Sequence, residues 1–142
     1  MIARLRFGTA GIRAPLGPGS DQMNRDNVRR VAAALAQWLM QASDGIAPVV
    51  VAHDARRCSD VFARDAAAVL TGAGLPVVRF PGPVPTPLAA FAVRRLAARA
   101  ALVVTASHNP ATDNGLKVFW GDGGQVVPPH SSGGSCSATR RR

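Results

Sequence analysis

The stretch Ala101-Leu102-Val103-Val104-Thr105-Ala106-Ser107-His108-Asn109-Pro110 decides how this chain is read. Its first four residues are a short, unbroken apolar run, the pattern of a buried strand. A hydroxyl, an imidazole and an amide then arrive together where that strand ends. Asn109-Pro110 and, shortly after, Asn114-Gly115 are turn signals, so the segment reads as a loop held between two strands. In α/β folds, ligands gather at the carboxyl ends of the strands. A serine placed there beside a histidine is a candidate nucleophile. The plainer alternative is that Ser107 and Asn109 only satisfy loop backbone.

Upstream of this loop, apolar runs alternate with helical stripes. Asn24 is an expected N-cap for a helix over Arg25 to Gln41, with Val28, Val31, Leu35, Trp38 and Leu39 on its apolar face and Ser43-Asp44-Gly45 as its end. Trp38 reads as core. Val49-Val50-Val51-Ala52 is a buried strand, followed by His53-Asp54-Ala55-Arg56-Arg57. Asp54 is placed to hold an arginine or to cap the loop, and His53 reads as a satisfied histidine. Ser59 is the expected N-cap of a second helix, Asp60 to Thr71, with Val61, Phe62, Ala66, Val69 and Leu70 near its apolar face. Gly72 and Gly74 close it. Val77-Val78-Arg79-Phe80 is the next strand. A third helix is expected from a Thr86 cap and Pro87 at the first helical position to about Arg99, packing through Leu88, Phe91, Ala92 and Leu96.

Downstream, Leu116-Lys117-Val118-Phe119-Trp120 is the last strand, and Gly121-Asp122-Gly123-Gly124 its turn. Such alternation predicts an α/β fold: a three-layer αβα domain with a mixed, mostly parallel sheet. The loop before the last strand is too short for a parallel crossover, so that strand is expected to run antiparallel. At the other end, Phe7-Gly8-Thr9-Ala10-Gly11-Ile12-Arg13 reads as an extended segment or loop that lets something approach its backbone. Arg13 is a planar, permanently charged donor suited to phosphate, or else a surface arginine after a glycine turn.

Composition bounds the function. The chain has 142 residues, 47% of them hydrophobic and 5% aromatic, enough for one domain with a core of Ala, Val and Leu. No apolar run is long enough to cross a bilayer, and Met1 to Arg6 lacks the core of a signal peptide, so a cytoplasmic protein is expected. Cys58 and Cys136 are far apart and indicate neither a zinc site nor a disulfide framework. The net charge of +9 suits nucleic acid, an anionic membrane surface or a phosphorylated metabolite. Most arginines lie in predicted helices, no basic stripe is interleaved with aromatics, and tyrosine is absent, which argues against nucleic-acid binding. From Ser131 onward the Ser/Gly-rich segment and the closing Arg140-Arg141-Arg142 have no apolar periodicity and read as a disordered tail.

Three motifs now stand in order: Phe7 to Arg13, Thr105 to Pro110, and Asp113-Asn114-Gly115-Leu116-Lys117. Together they resemble those of the α-D-phosphohexomutases, the family of phosphoglucomutases and phosphomannomutases. The resemblance continues through Asp54-Ala55-Arg56, Thr86-Pro87 and Gln125 to Pro129. Gly17-Pro18-Gly19 with Met23-Asn24 looks more like the phosphoglucomutase and phosphopentomutase branch than the phosphoglucosamine branch.

The resemblance implies that Ser107 is carried as a phosphoserine. It would give its phosphoryl group to a sugar monophosphate and take the other phosphate back from the bisphosphate intermediate. The net change is phosphate movement between the 1- and 6-positions of a hexose. By the same resemblance Lys117 serves as general base or charge stabiliser, and burial in a cleft would lower its pKa. Arg13 holds phosphate, and His108 and Asn109 donate hydrogen bonds or fix the loop. Thr105, Asn109, Gly8 and Thr9 belong to the substrate site. Mg2+ is the implied cofactor, reached in this chain only through the phosphate on Ser107, and a sugar 1,6-bisphosphate is the implied activator.

The departures from the family are large. Members usually have four domains, and residues 1–130 resemble only the first. The aspartate-rich Mg2+ loop is missing, and Asp122-Gly123-Gly124 does not replace it. The expected domain division is 1–130 and a tail of 131–142, with a frameshift or early stop as the expected cause. Three hypotheses follow: a phosphohexomutase represented by its catalytic-serine domain and inactive alone, a non-catalytic remnant that binds phosphosugar weakly, and a basic nucleic-acid binder.

Overall fold

The computed structural model describes residues 5–42 and 47–127. Eight elements follow one another: β1 (Ile12–Pro15), α1 (Arg25–Gln41), β2 (Val49–His53), α2 (Ser59–Gly72), β3 (Val77–Arg79), α3 (Thr86–Arg95), β4 (Ala100–Val104) and β5 (Asp113–Trp120). The strands form one sheet in the order β1-β5-β4-β2-β3. β2 runs parallel to β3 and β4, whereas β5 runs antiparallel to β4 and to β1. Four strands therefore share a direction and the last one opposes them, as its short preceding loop requires.

The central strands explain the layers. β2 and β4 are buried at every position, the mark of strands covered on both faces. Side chains alternate across the sheet. Val49 and Val51 join Leu102, Val104, Leu116 and Val118 against α1 and α2, which supply Val28, Leu35, Leu39, Phe62 and Leu70. Val50 and Ala52 join Val103 and Phe119 against α3, which supplies Ala89, Ala92 and Val93. Asn24 caps α1: its side chain accepts the Asn27 N–H at 2.9 Å, a contact typically worth ~1 kcal/mol. Its amide also donates to the Gly17 and Gly19 carbonyls, at 2.9 and 3.0 Å, folding the Gly/Pro loop onto the helix.

Several expectations are corrected. Ser59 is not a cap: Cys58 takes that position with φ of 66° and no side-chain cap bond. Ser59 is instead buried, and its hydroxyl donates to Asp54. α3 begins at Thr86 with Pro85, not Thr86, at its cap, and it ends at Arg95 rather than near Arg99. Its buried face is Ala89, Ala92 and Val93; Leu88, Phe91 and Leu96 are exposed. An alanine-rich helix carries two apolar faces, and close approach to the sheet selects the one with small side chains. Trp38 is not core: it is 37% exposed and stacks on Trp120, with ring centroids 4.4 Å apart.

Asn114-Gly115 is not a turn either. β5 already begins at Asp113, and both residues are buried within it. The helix end at Ser43-Asp44-Gly45, Cys136 and the tail lie outside the described residues. Among the described residues no helix is long and apolar enough to cross a membrane.

Candidate active site

β2 and β4 end side by side, His53 opposite Val104. Just past β4, the Thr105 N–H donates to the Gly115 carbonyl of β5 at 2.9 Å. The chain then turns sharply. Ser107 sits at φ of 58°, left-handed backbone that a residue with a Cβ adopts at a cost of ~1–3 kcal/mol. Two local bonds hold it: the Ser107 N–H donates to Thr105 Oγ1 at 3.0 Å, and the Asn109 N–H to the Ala106 carbonyl at 3.1 Å. Thr105 is buried, Ser107 half-buried and His108 exposed.

The remaining support arrives from the β2–α2 connection. Arg56 donates through Nη2 to the Ser107 and Asn109 carbonyls at 2.8 and 2.7 Å. Its Nη1 donates to the Pro110 and Asp113 carbonyls at 2.7 and 3.2 Å. Asp54 lies 3.4 Å from Arg56 Nε, and its other oxygen accepts the Arg56 N–H at 3.0 Å and the Ser59 hydroxyl at 2.7 Å. Asn114 completes this strut from β5, donating to Ser59 Oγ at 3.0 Å and to the Arg57 carbonyl at 2.9 Å. Asp54 thus holds an arginine and caps a loop at once. Arg56 and Asn114 had no assigned role in the sequence. The only signal for them was a short Asp-x-Arg after a buried strand, and an Asn-Gly that imitates a turn.

Arg13 and Lys117 come together because β1 pairs with β5. Arg13 is opposite Gly115, and Lys117 is two residues further along the same face. Arg13 Nη1 donates to Asn109 Oδ1 at 3.0 Å, and the Asn109 amide donates to Asp113 Oδ2 at 2.8 Å. Arg13 Nε is buried without a hydrogen-bond partner. Burial, and secondarily the positive charge of Arg13, lower the Lys117 pKa from its ordinary 10.5. Gly115 makes this approach feasible. A Cβ there would collide with the Ile12 carbonyl oxygen and stand 2.7 Å from the Thr105 carbonyl oxygen.

Gly8 and Thr9 occupy a tight turn closed by reciprocal Gly8–Gly11 backbone bonds of 2.9 and 3.1 Å. The Gln125 amide donates to the Thr9 carbonyl at 3.2 Å. Among the described residues, no hydrogen bond joins Gly8 or Thr9 to the Ser107 loop. Ser107, Thr105, Asn109, Arg13 and Lys117 therefore form one cluster, with Gly8 and Thr9 on the turn leading into β1 and His108 at the exposed rim. His53 is buried and satisfied, its Nδ1 2.8 Å from the Asp54 carbonyl oxygen.

The family model for phosphoglucomutase/phosphomannomutase, alpha/beta/alpha domain I, matches residues 4–133. The chain belongs to this family. A protein named "Probable phosphoribomutase" from Schizosaccharomyces pombe is 43% identical over 135 residues, covering 94% of this chain and 23% of the relative. A phosphoglucomutase from Staphylococcus saprophyticus is 42% identical over 127 residues, covering 89% and 23%. A solved structure described as a phosphomannomutase candidate from Thermus thermophilus superposes with a TM-score of 0.82 at 41% identity. It covers 90% of this chain and 28% of that one. The chain thus spans under a quarter of the length of these two curated relatives.

In this phosphoglucomutase/phosphomannomutase domain Arg13, Ser107 and Lys117 are each half-buried. Clefts of about 560 and 550 Å3 lie elsewhere, beside α3 and beside the Trp38–Trp120 pair, and neither is lined by Ser107, Arg13 or Lys117. Chemistry, not cavity size, marks the site. The residues described do not form a Mg2+ site of their own: no three His, Cys, Asp or Glu side chains gather among them. Asp113, the carboxylate beside the loop, is already engaged by Asn109 and Thr112.

Proposed function

We propose that this chain is the phosphoryl-carrying domain of a sugar-phosphate mutase. Ser107 Oγ carries the phosphoryl group. A hydroxyl of a bound sugar monophosphate attacks that phosphorus. The new sugar O–P bond forms as the Ser107 Oγ–P bond breaks, and the hydroxyl proton passes to the neutral amine of Lys117 and from it to the departing Ser107 Oγ. In the return step, Ser107 Oγ attacks the other phosphate of the sugar bisphosphate, its proton passes to the neutral amine of Lys117, and Lys117 gives that proton to the departing sugar oxygen. Phosphate thereby moves between the 1- and 6-positions of a hexose. Phosphoryl transfer depends on positioning and on positive charge around the equatorial oxygens. Arg13 supplies a permanent charge and a planar donor set for that purpose. Thr105 and Asn109 shape the loop, Gly8 and Thr9 contribute the edge of the substrate site, and His108 donates from the rim.

The observation that carries this reading is the placement of Ser107: a strained serine at the carboxyl end of β4, on a loop tied to Arg13, with a Lys117 whose pKa is lowered by burial. The names of the relatives favour a second substrate, a pentose phosphate, whose phosphate would move between the 1- and 5-positions. The same reading takes 1–130 as one domain and 131–142 as a tail outside it, in a cytoplasmic protein.

The test is direct. The chain is incubated with glucose 1,6-bisphosphate or with ribose 1,5-bisphosphate, and peptide mass spectrometry locates any phosphate. Phosphate on Ser107, lost in Ser107→Ala, is the expected outcome. The uptake rate should rise with pH below 10.5 as Lys117 deprotonates. Phosphate on another residue, or none, would remove the reading. The chain by itself is expected to take up phosphate without net mutase turnover, because Arg13, Ser107 and Lys117 stay partly exposed to water.

A further inference from the structure

Arg56 stands outside the cluster just assigned to the chemistry, yet it spends all its terminal donors on the Ser107 loop. Four carbonyl oxygens, of Ser107, Asn109, Pro110 and Asp113, converge on one guanidinium group. A loop leaving the carboxyl end of a strand carries such oxygens with nowhere regular to go, and each bears partial negative charge. Left free, they would meet an incoming phosphoryl group with the wrong sign. A guanidinium is the side chain that holds several oxygens in one plane: it carries five N–H donors in a fixed fork. Asp54 holds that fork in place from behind, Ser59 donates to Asp54, and Asn114 donates to Ser59.

We propose that Arg56 is a positioning residue: its guanidinium gathers the loop carbonyls and so sets where Ser107 Oγ stands. It does this without touching substrate. The inference rests on the carrier role assigned to Ser107 for its catalytic consequence, but not for its structural one. A misplacement of about 1 Å at a reacting group can cost on the order of a hundredfold in rate. Arg56→Lys keeps the positive charge but replaces the fork by a single ammonium, which cannot span four carbonyls.

Two measurements on the full chain separate the inference from the reading it deepens. The first is amide hydrogen exchange. In Arg56→Lys, the Asn109 and Asp113 amides should exchange at least tenfold faster, while amides of β2 and β4 keep their wild-type rates. Unchanged loop exchange would overturn the inference, whether or not Ser107 takes up phosphate. A uniform increase across the sheet would also overturn it, because Arg56 would then be supporting the fold at large. The second is the rate of phosphoryl uptake from glucose 1,6-bisphosphate. The saturating rate should fall roughly a hundredfold in Arg56→Lys with the half-saturating concentration unchanged, in line with misplacement. A raised half-saturating concentration at an unchanged saturating rate would mean that Arg56 binds the sugar phosphate itself. In Arg56→Ala, added guanidinium should restore part of the rate; no recovery in a variant that is folded by circular dichroism would count against the inference. If wild-type chain takes up no phosphate at all, the carrier reading fails, and the exchange measurement still decides the role of Arg56.

Discussion

The two ends of β5 are held by different physics. At its start, Asp113-Asn114-Gly115 lies in a web of hydrogen bonds, to Arg56, Arg57 and Ser59 far away in sequence and to Thr105, with β1 paired alongside. At its finish, Trp120 lies in an apolar stack with Trp38 and enters a local turn in which the Gly123 N–H donates to the Trp120 carbonyl at 2.8 Å. The first end is polar and specific. The second is apolar and tolerant, because stacking has a shallow dependence on geometry and the turn needs no distant partner. The end beside the proposed carrier loop is the one in which a single wrong atom has consequences.

Substitutions sharpen that contrast. Gly115→Ala should do the most damage to the fold. Its Cβ meets backbone, which cannot swing aside, so a loss of about 3 kcal/mol is expected from chemical denaturation. A loss below about 1 kcal/mol would show that β1 and β5 separate easily and that the close approach is not needed. Asn114→Ala is expected to cost roughly 2 kcal/mol, since the Arg57 carbonyl and the Gly115 N–H both lose a partner in a buried setting. At the far end, a double-mutant cycle of Trp38→Ala and Trp120→Ala should give a coupling of only about 1 kcal/mol. Neither tryptophan substitution should alter phosphate uptake by Ser107. A change in uptake would mean that the two ends communicate.

The smallest effect concerns Lys117, whose folded pKa lies below 10.5. Between those two values the unfolded chain holds a proton that the folded chain has released. Folding stability should therefore rise as pH climbs from the folded pKa toward 10.5. Lys117→Met should remove that slope. A Met variant with the same slope as wild type would assign it to other groups.

Much of the architecture was legible because burial writes itself into a sequence. Val49 to Ala52 and Ala101 to Val104 read as covered strands and are. Asn24 reads as a helix cap and is one. Where the structure departs from a local pattern, a partner outside that pattern decides the outcome. Ser59 looks like a cap until Asp54 claims its hydroxyl. Leu88 and Phe91 look like the core face of α3 until the sheet approaches the alanine side. Asn114-Gly115 looks like a turn until β1 closes over Gly115 and Asn114 reaches Ser59.

For this phosphoglucomutase/phosphomannomutase domain, the sequence by itself determined the layered α/β fold and the antiparallel last strand, and it pointed to the serine around which the site is proposed. Those rest on periodicity, loop length and short motifs, all of which are properties of neighbouring residues. Only the tertiary structure decided that Arg56 clasps the Ser107 loop, that Arg13 lies beside Lys117, and that the strut from Asp54 to Asn114 carries the load between them. Those are contacts across about 50 to 100 positions of chain, closed by hydrogen bonds whose partners no local pattern names.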